Sequence, residues 1–177
     1  MIPAKLKPLL RAAPEVDIIR QSKLWTKRRD AEATVREAIA AAVQFCDAVP
    51  SQAEVCIVLA DDRHIQDLNL QWRGQDKPTN VLSFPAPRRE GDEDEGATVM
   101  LGDIVIAYQT ASREAEFEKK PVLNHLAHLT VHGFLHLLGY DHTAEDEAED
   151  MERLEARILE DLGIPDPYAA RPRAITR

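Results

Sequence analysis

The sequence predicts a single α+β (mixed α/β) domain, a sheet of about four strands packed with about five helices, one helix central and apolar. Three observations carry this expectation. Short β-branched runs are interspersed with stretches of helical periodicity. Residues 121–138 are apolar on nearly every side, which suits a helix buried in a core. The chain has 177 residues, 44% hydrophobic and 30% charged, one domain's worth and enough to bury a core unaided. The order of the elements argues against a wholly parallel sheet.

The elements follow from local chemistry. Residues 1–15, with Pro3, Pro8 and Pro14, read as an irregular lead-in. Residues 16–168 read as the domain and 169–177 as a basic flexible tail. VDIIR (16–20) is a short strand. From Asp30, a candidate cap, Val35, Ile39, Ala42, Val43 and Cys46 recur at helical spacing until Pro50. EVCIVLA (54–60) has strand length and composition. Asp61 or Asp62 caps a second helix carrying Ile65, Leu68, Leu70 and Trp72, ending near Gly74.

NVLSF (80–84) is a strand closed by Pro85, and residues 85–98 form a charged loop without apolar periodicity. VMLGDIVIA (99–107) is a strand whose interior Gly102 signals a bulge or a close backbone approach. A charged helix spans about Gln109 to Lys120. Pro121 suits the first turn of the apolar helix, and Gly139 suits a left-handed cap at its end. Thr143 and Asp146 resemble a capping box opening the last helix, which runs to about Leu162.

Composition narrows the function classes. No apolar stretch reaches the ~18 residues of a membrane span, and the N-terminus lacks an apolar signal core. Cys46 and Cys56 make neither a disulfide framework nor a CxxC metal site. The expectation is a cytoplasmic protein with two reduced, buried thiols. The net charge of −9 is local: residues 90–95 carry −5 and residues 144–161 carry −7. The remainder is therefore positive and compatible with a polyanionic partner.

Chemistry concentrates in HGFLHLLGYDH. His132 and His136 stand four apart on the predicted helix, about 40° apart in projection and ~6 Å along the axis, so both rings can reach one ion. Gly139 breaks the helix, and His142 can return to the same point. The spacing is H-x-x-x-H-x-x-G-x-x-H. Three imidazoles with one open position form a catalytic zinc arrangement, whereas structural sites close with four protein ligands. A bare HxxxH pair is more often two ordinary histidines. The third histidine and the helix-breaking glycine, on an otherwise apolar helix, favour one zinc ion.

Zinc peptidases carry Glu after the first histidine as general base. Here Gly133 stands there. Asp141 and Asp103 are the nearest carboxylates by sequence logic that could replace it, and Asp141 also suits a role orienting a ligand ring. His128, one turn before His132, is open to three readings: a group behind the ligands, an alternative ligand, or core. His125 points elsewhere and reads as incidental, and His64 receives no role. Arg73 and Lys77 flank Gly74 before a strand. A guanidinium near an open zinc suits phosphate-ester chemistry, though charge alone would leave Arg73 a helix C-terminal cation.

Together, HGFLHLLGYDH, LNLQWRGQDKPTNVLSFP (68–85), LGDIVIA and DEAEDMERLEARILEDLG resemble the YbeY family of endoribonucleases, over roughly residues 54–168. The resemblance implies a bacterial-type cytoplasmic metalloenzyme binding one zinc through His132, His136 and His142, with Arg73 as functional arginine. It also implies single-strand-specific RNA cleavage in 16S rRNA 3′-end maturation and ribosome quality control. The implied partners are single-stranded 16S rRNA precursor, the small ribosomal subunit and its proteins, and an Era-type GTPase. The family pattern has Asp where this chain has Asn80.

From these readings Arg73, Lys77 (a candidate RNA contact) and part of the Lys23–Arg29 cluster are expected to border the zinc cleft. The expected nucleophile is water or a ribose 2′-hydroxyl. Competing readings are a zinc peptidase with its base from elsewhere, a non-catalytic ribosome-biogenesis binding factor, and a hydrolase of small phosphoesters.

Overall fold

The computed structural model describes residues 11–87, 96–141 and 145–169. Four strands form one mixed sheet in the order β1-β2-β4-β3. They are β1 (Glu15–Arg20), β2 (Ala53–Ala60), β3 (Val81–Pro85) and β4 (Val99–Ala107). β1, β2 and β4 run parallel, and β3 pairs antiparallel with β4 at the sheet edge. Among the described residues five α-helices flank the sheet: α1 (Ala31–Phe45), α2 (Asp62–Arg73), α3 (Tyr108–Phe117), α4 (Val122–Leu137) and α5 (Glu145–Asp161). A 3₁₀ turn at Lys23–Lys27, which the sequence did not announce, buries Trp25. The indole N–H donates to the Ala60 carbonyl at 2.8 Å.

Strand alternation divides the core. Val55, Ile57, Leu59, Ile104 and Ile106 point to one face and join α1, α4 and α5 in the larger cluster. Ala60, Leu82, Val105 and Ala107 point to the other face, where Ile65 of α2 covers them. Leu70 and Trp72, at helical spacing in the sequence, face solvent instead, 48% and 64% exposed.

Local expectations meet their geometry at several points. Gly74 ends α2 in the left-handed region at φ +67°, and Gly139 does so after α4 at φ +93°. Gly102 serves both anticipated purposes. It lies beside a register shift in the β2–β4 ladder, and a Cβ there would stand 2.2 Å from the Phe84 carbonyl oxygen at φ +136°. Asp30 precedes α1, but its side chain makes no capping hydrogen bond. Cys46 is buried and Cys56 only half-buried, and both are free. Thr143, residues 88–95 of the charged loop and 170–177 of the tail lie outside the described residues. No helix among the described residues is long and apolar enough to cross a membrane.

Candidate metal centre and cleft

α4 positions the site. It packs on β3 and β4 and against α1, α3 and α5. From His125 to Leu137 every residue is buried except His128, His132 and His136, which are half-buried. They lie four apart, so one stripe of an otherwise enclosed helix opens to solvent, and that stripe is imidazole. The spacing predicted the shared face. The face is open because α4 lies on β3, the edge of the four-stranded sheet among the described residues.

The ring nitrogens of His132 and His136 converge. Their Nε2 atoms are 3.0 Å apart. Each Nδ1 has an acceptor: Glu155 Oε1 at 2.6 Å for His132 and the Tyr140 carbonyl oxygen at 2.9 Å for His136. In the tautomer that donates from Nδ1 to these acceptors, both Nε2 lone pairs face one point. Two lone pairs this close repel; a cation between them, or a proton on one Nε2 shared with the other, relieves the repulsion. Neutral imidazoles pinned from behind by a carboxylate and a carbonyl are the usual dress of metal-bound histidines. Tetrahedral zinc with Zn–N bonds of ~2.0–2.1 Å separates its ligand nitrogens by about 3.3 Å, close to the spacing seen. The donor pair therefore fits zinc. His142, the expected third ligand, lies outside the described residues.

Glu155 is the functional carboxylate the sequence reading passed over. It is fully buried, and its contacts are His128, His132 and the Tyr168 hydroxyl. Burial works against its ionisation, but hydrogen bonds and charge from His128 and His132 outweigh this and lower its carboxyl to about 2. An ionised Glu155 is an acceptor for an Nδ1–H of His132. A signal existed in the sequence: Met151, Ile158 and Leu159 form the buried stripe of α5, and Glu155 occupies a position within it. An acid on an apolar stripe needs a partner. Glu155→Gln is expected to weaken zinc binding about 10- to 100-fold, read by chelator competition, with the fold retained.

The stripe opens into a cleft of about 480 Å³. One side is His132, His136, Gly139, Tyr140 and Asp141. The other is Arg73 with Thr79, Asn80, Val81, Ser83 and Pro85. Arg73 reaches the cleft because the left-handed turn at Gly74 ends α2 there. Buried Asn69 braces that turn by donating Nδ2–H to the Lys77 carbonyl at 2.8 Å. The Arg73 guanidinium makes no hydrogen bond or ion pair with any described residue.

Several expectations are redrawn. The Lys23–Arg29 cluster does not border the cleft, because it follows β1, at the opposite sheet edge from β3. Lys77 is exposed but does not line the cleft. Asp103, on β4, lies outside the cleft and beside Cys56. Asp141 lines the cleft; Glu155 and the Tyr140 carbonyl meet the His132 and His136 rings at Nδ1, and His142, the ring next to Asp141, lies outside the described residues. His128 contacts Glu155 and Tyr168, behind His132.

His125 does not line the cleft. It is buried and bonded through Nε2 to Glu114 at 2.7 Å, while Asn80 Nδ2 donates to the same carboxylate at 3.0 Å. Burial opposes ionisation of Glu114, but its bonds to His125 and Asn80 and the nearby Lys120 charge lower its carboxyl below the usual range. An amide at position 80 can donate to Glu114, which a second carboxylate could not do.

The sequence profile of the family described as Endoribonuclease YbeY matches residues 18–163. A protein named Endoribonuclease YbeY from Bradyrhizobium diazoefficiens is 55% identical over 160 residues, covering 90% of this chain and 87% of its own. One of the same name from Rhodopseudomonas palustris is 54% identical over 160 residues, covering 90% and 95%. Among solved structures, TM1509 from Thermotoga maritima matches at 23% identity and a TM-score of 0.49, covering 84% of this chain and 91% of that one.

Proposed function

Because this chain belongs to the Endoribonuclease YbeY family, we propose that it is a zinc-dependent endoribonuclease cutting single-stranded RNA, acting at the 3′ end of 16S rRNA precursor in ribosome maturation and quality control. The accompanying partners are the small ribosomal subunit with its proteins and an Era-type GTPase, in the cytoplasm. The observation that carries the reading is the pair of Nε2 atoms 3.0 Å apart, each ring pinned at Nδ1, facing the Arg73 guanidinium across a cleft.

His132, His136 and His142 would hold the ion. When bound, zinc supplies Lewis-acid chemistry and makes a nucleophilic water available near neutral pH. Glu155 and the Tyr140 carbonyl hold the two rings so that both Nε2 atoms stay directed into the cleft. Arg73 grips two non-bridging phosphate oxygens and offsets the charge that builds in the transition state. Asp141 is the carboxylate among the described cleft residues and the candidate to take the proton of the attacking hydroxyl.

The test is cleavage of single-stranded against duplex RNA by zinc-loaded chain, with chelated chain beside it. A 2′-deoxy nucleotide at the cleaved position separates the nucleophiles: continued cutting assigns the attack to water. Arg73→Ala is expected to lower kcat/KM about 10²- to 10³-fold while zinc content stays unchanged. Arg73→Lys should recover only part, because an ammonium cannot grip phosphate in two places. A loss confined to KM, or a fall in zinc content, would contradict the clamp.

A further inference from the structure

The aromatic surface beside the cleft takes no part in the metal chemistry, yet it is exposed. Trp72 is 64% exposed, on a chain whose other tryptophan, Trp25, is 1% exposed. Its ring lies against Phe84, centroids 6.0 Å apart and planes inclined by 59°. The sequence neighbours of both rings line the cleft: Arg73 follows Trp72, and Ser83 and Pro85 flank Phe84. Successive helix residues diverge by about 100° and successive strand residues alternate. The edge strand β3 thus carries cleft residues on one face and Phe84 on the other, where Trp72 of α2 lies against it, with the Trp72–Arg73 step joining the two at the rim.

We propose that Trp72, backed by Phe84, is a stacking platform for one nucleobase of single-stranded RNA, next to the phosphate held at Arg73. The proposal rests on the ribonuclease reading and names how that site would select its substrate. A cation and an exposed indole on adjacent residues match the two faces of a nucleotide, one anionic and one aromatic. Phe84 packs against the small core cluster under α2 and braces the indole. Bases in a duplex have no free π-face, so a platform at this position favours unpaired strands.

The experiment uses the full chain with His132→Ala, which leaves RNA intact, titrated with a short single-stranded oligoribonucleotide. Emission from the exposed indole should quench on binding, and the buried Trp25 should not contribute. Trp72→Leu should weaken binding about 5- to 100-fold. Trp72→Phe should keep affinity within about 3-fold while the quench disappears. An oligonucleotide abasic along its length should bind equally to the chain that keeps Trp72 and to the Trp72→Leu variant, which separates stacking from a loss of structure. In the zinc-loaded chain with His132 intact, Trp72→Leu should raise KM by more than it lowers kcat.

Equal binding of intact RNA by the Trp72→Leu variant overturns the proposal, as does an equal loss for the abasic strand. An emission change caused by a small-subunit protein but by no RNA assigns the ring to a protein contact and overturns it too. Cleavage that is indifferent to Trp72 sinks the platform alone. Absence of both cleavage and RNA binding in the zinc-loaded chain sinks the ribonuclease reading and the platform with it.

Discussion

His132→Ala is expected to abolish RNA cleavage, with kcat/KM down by about 10³-fold or more and zinc content falling together with it. The variant removes one of two converging Nε2 donors. It also takes from Glu155 the partner 2.6 Å away, in a pocket where that carboxylate is fully buried. Leaving a buried acceptor less well satisfied costs about 1–3 kcal/mol, so a lower Tm should accompany the loss of activity. Chelating the unmodified chain separates the two effects. Activity should disappear while the His132–Glu155 bond persists, and zinc should restore it. Robust cleavage by metal-free His132→Ala protein would remove the metal from the mechanism.

That experiment also marks what a sequence reveals. His132 and His136 were legible because helical periodicity converts a spacing of four into a shared face, and Gly139 was legible because a left-handed turn requires it. The strands and helices were legible from apolar period and turn residues. What supports the ligands was not, because Glu155 meets His132 across 23 residues of chain, and pairings between elements leave no local pattern. His125, Glu114 and Asn80 likewise come together only when α3, α4 and the entry to β3 pack. The basic channel failed for a related reason. Charges near in composition were separated by strand order, with β1 and β3 at opposite edges. Trp72 was visible as an apolar helical position, but only packing shows that its face is left uncovered.

Gly133→Glu, which would install the base position of a zinc peptidase, is expected to destabilise the protein by about 4 kcal/mol or more and to gain no peptidase activity. A Cβ at Gly133 would stand 2.7 Å from Ile104 Cγ2 and 3.0 Å from Ser83 Oγ. Ile104 is fully buried and branched at Cβ, so that methyl cannot swing aside as the end of a long chain would. α4 is therefore seated on β3 and β4 through a glycine, and a larger residue pushes the helix off the sheet that shapes the cleft. The carboxylate adds a second cost wherever it is drawn out of water into the contact with Ile104. A Tm lower by roughly 8–16 °C is expected for a chain of this size. Gly133→Ala tests the steric part alone and should fall between the two, with zinc binding weakened as the helix shifts. If Gly133→Glu instead folds with unchanged Tm, the close approach of α4 to Ile104 is not what excludes a glutamate here. The seat that shuts out the peptidase base also leaves the imidazole stripe facing Arg73, so the chemistry on this helix must find its charge partners across the cleft.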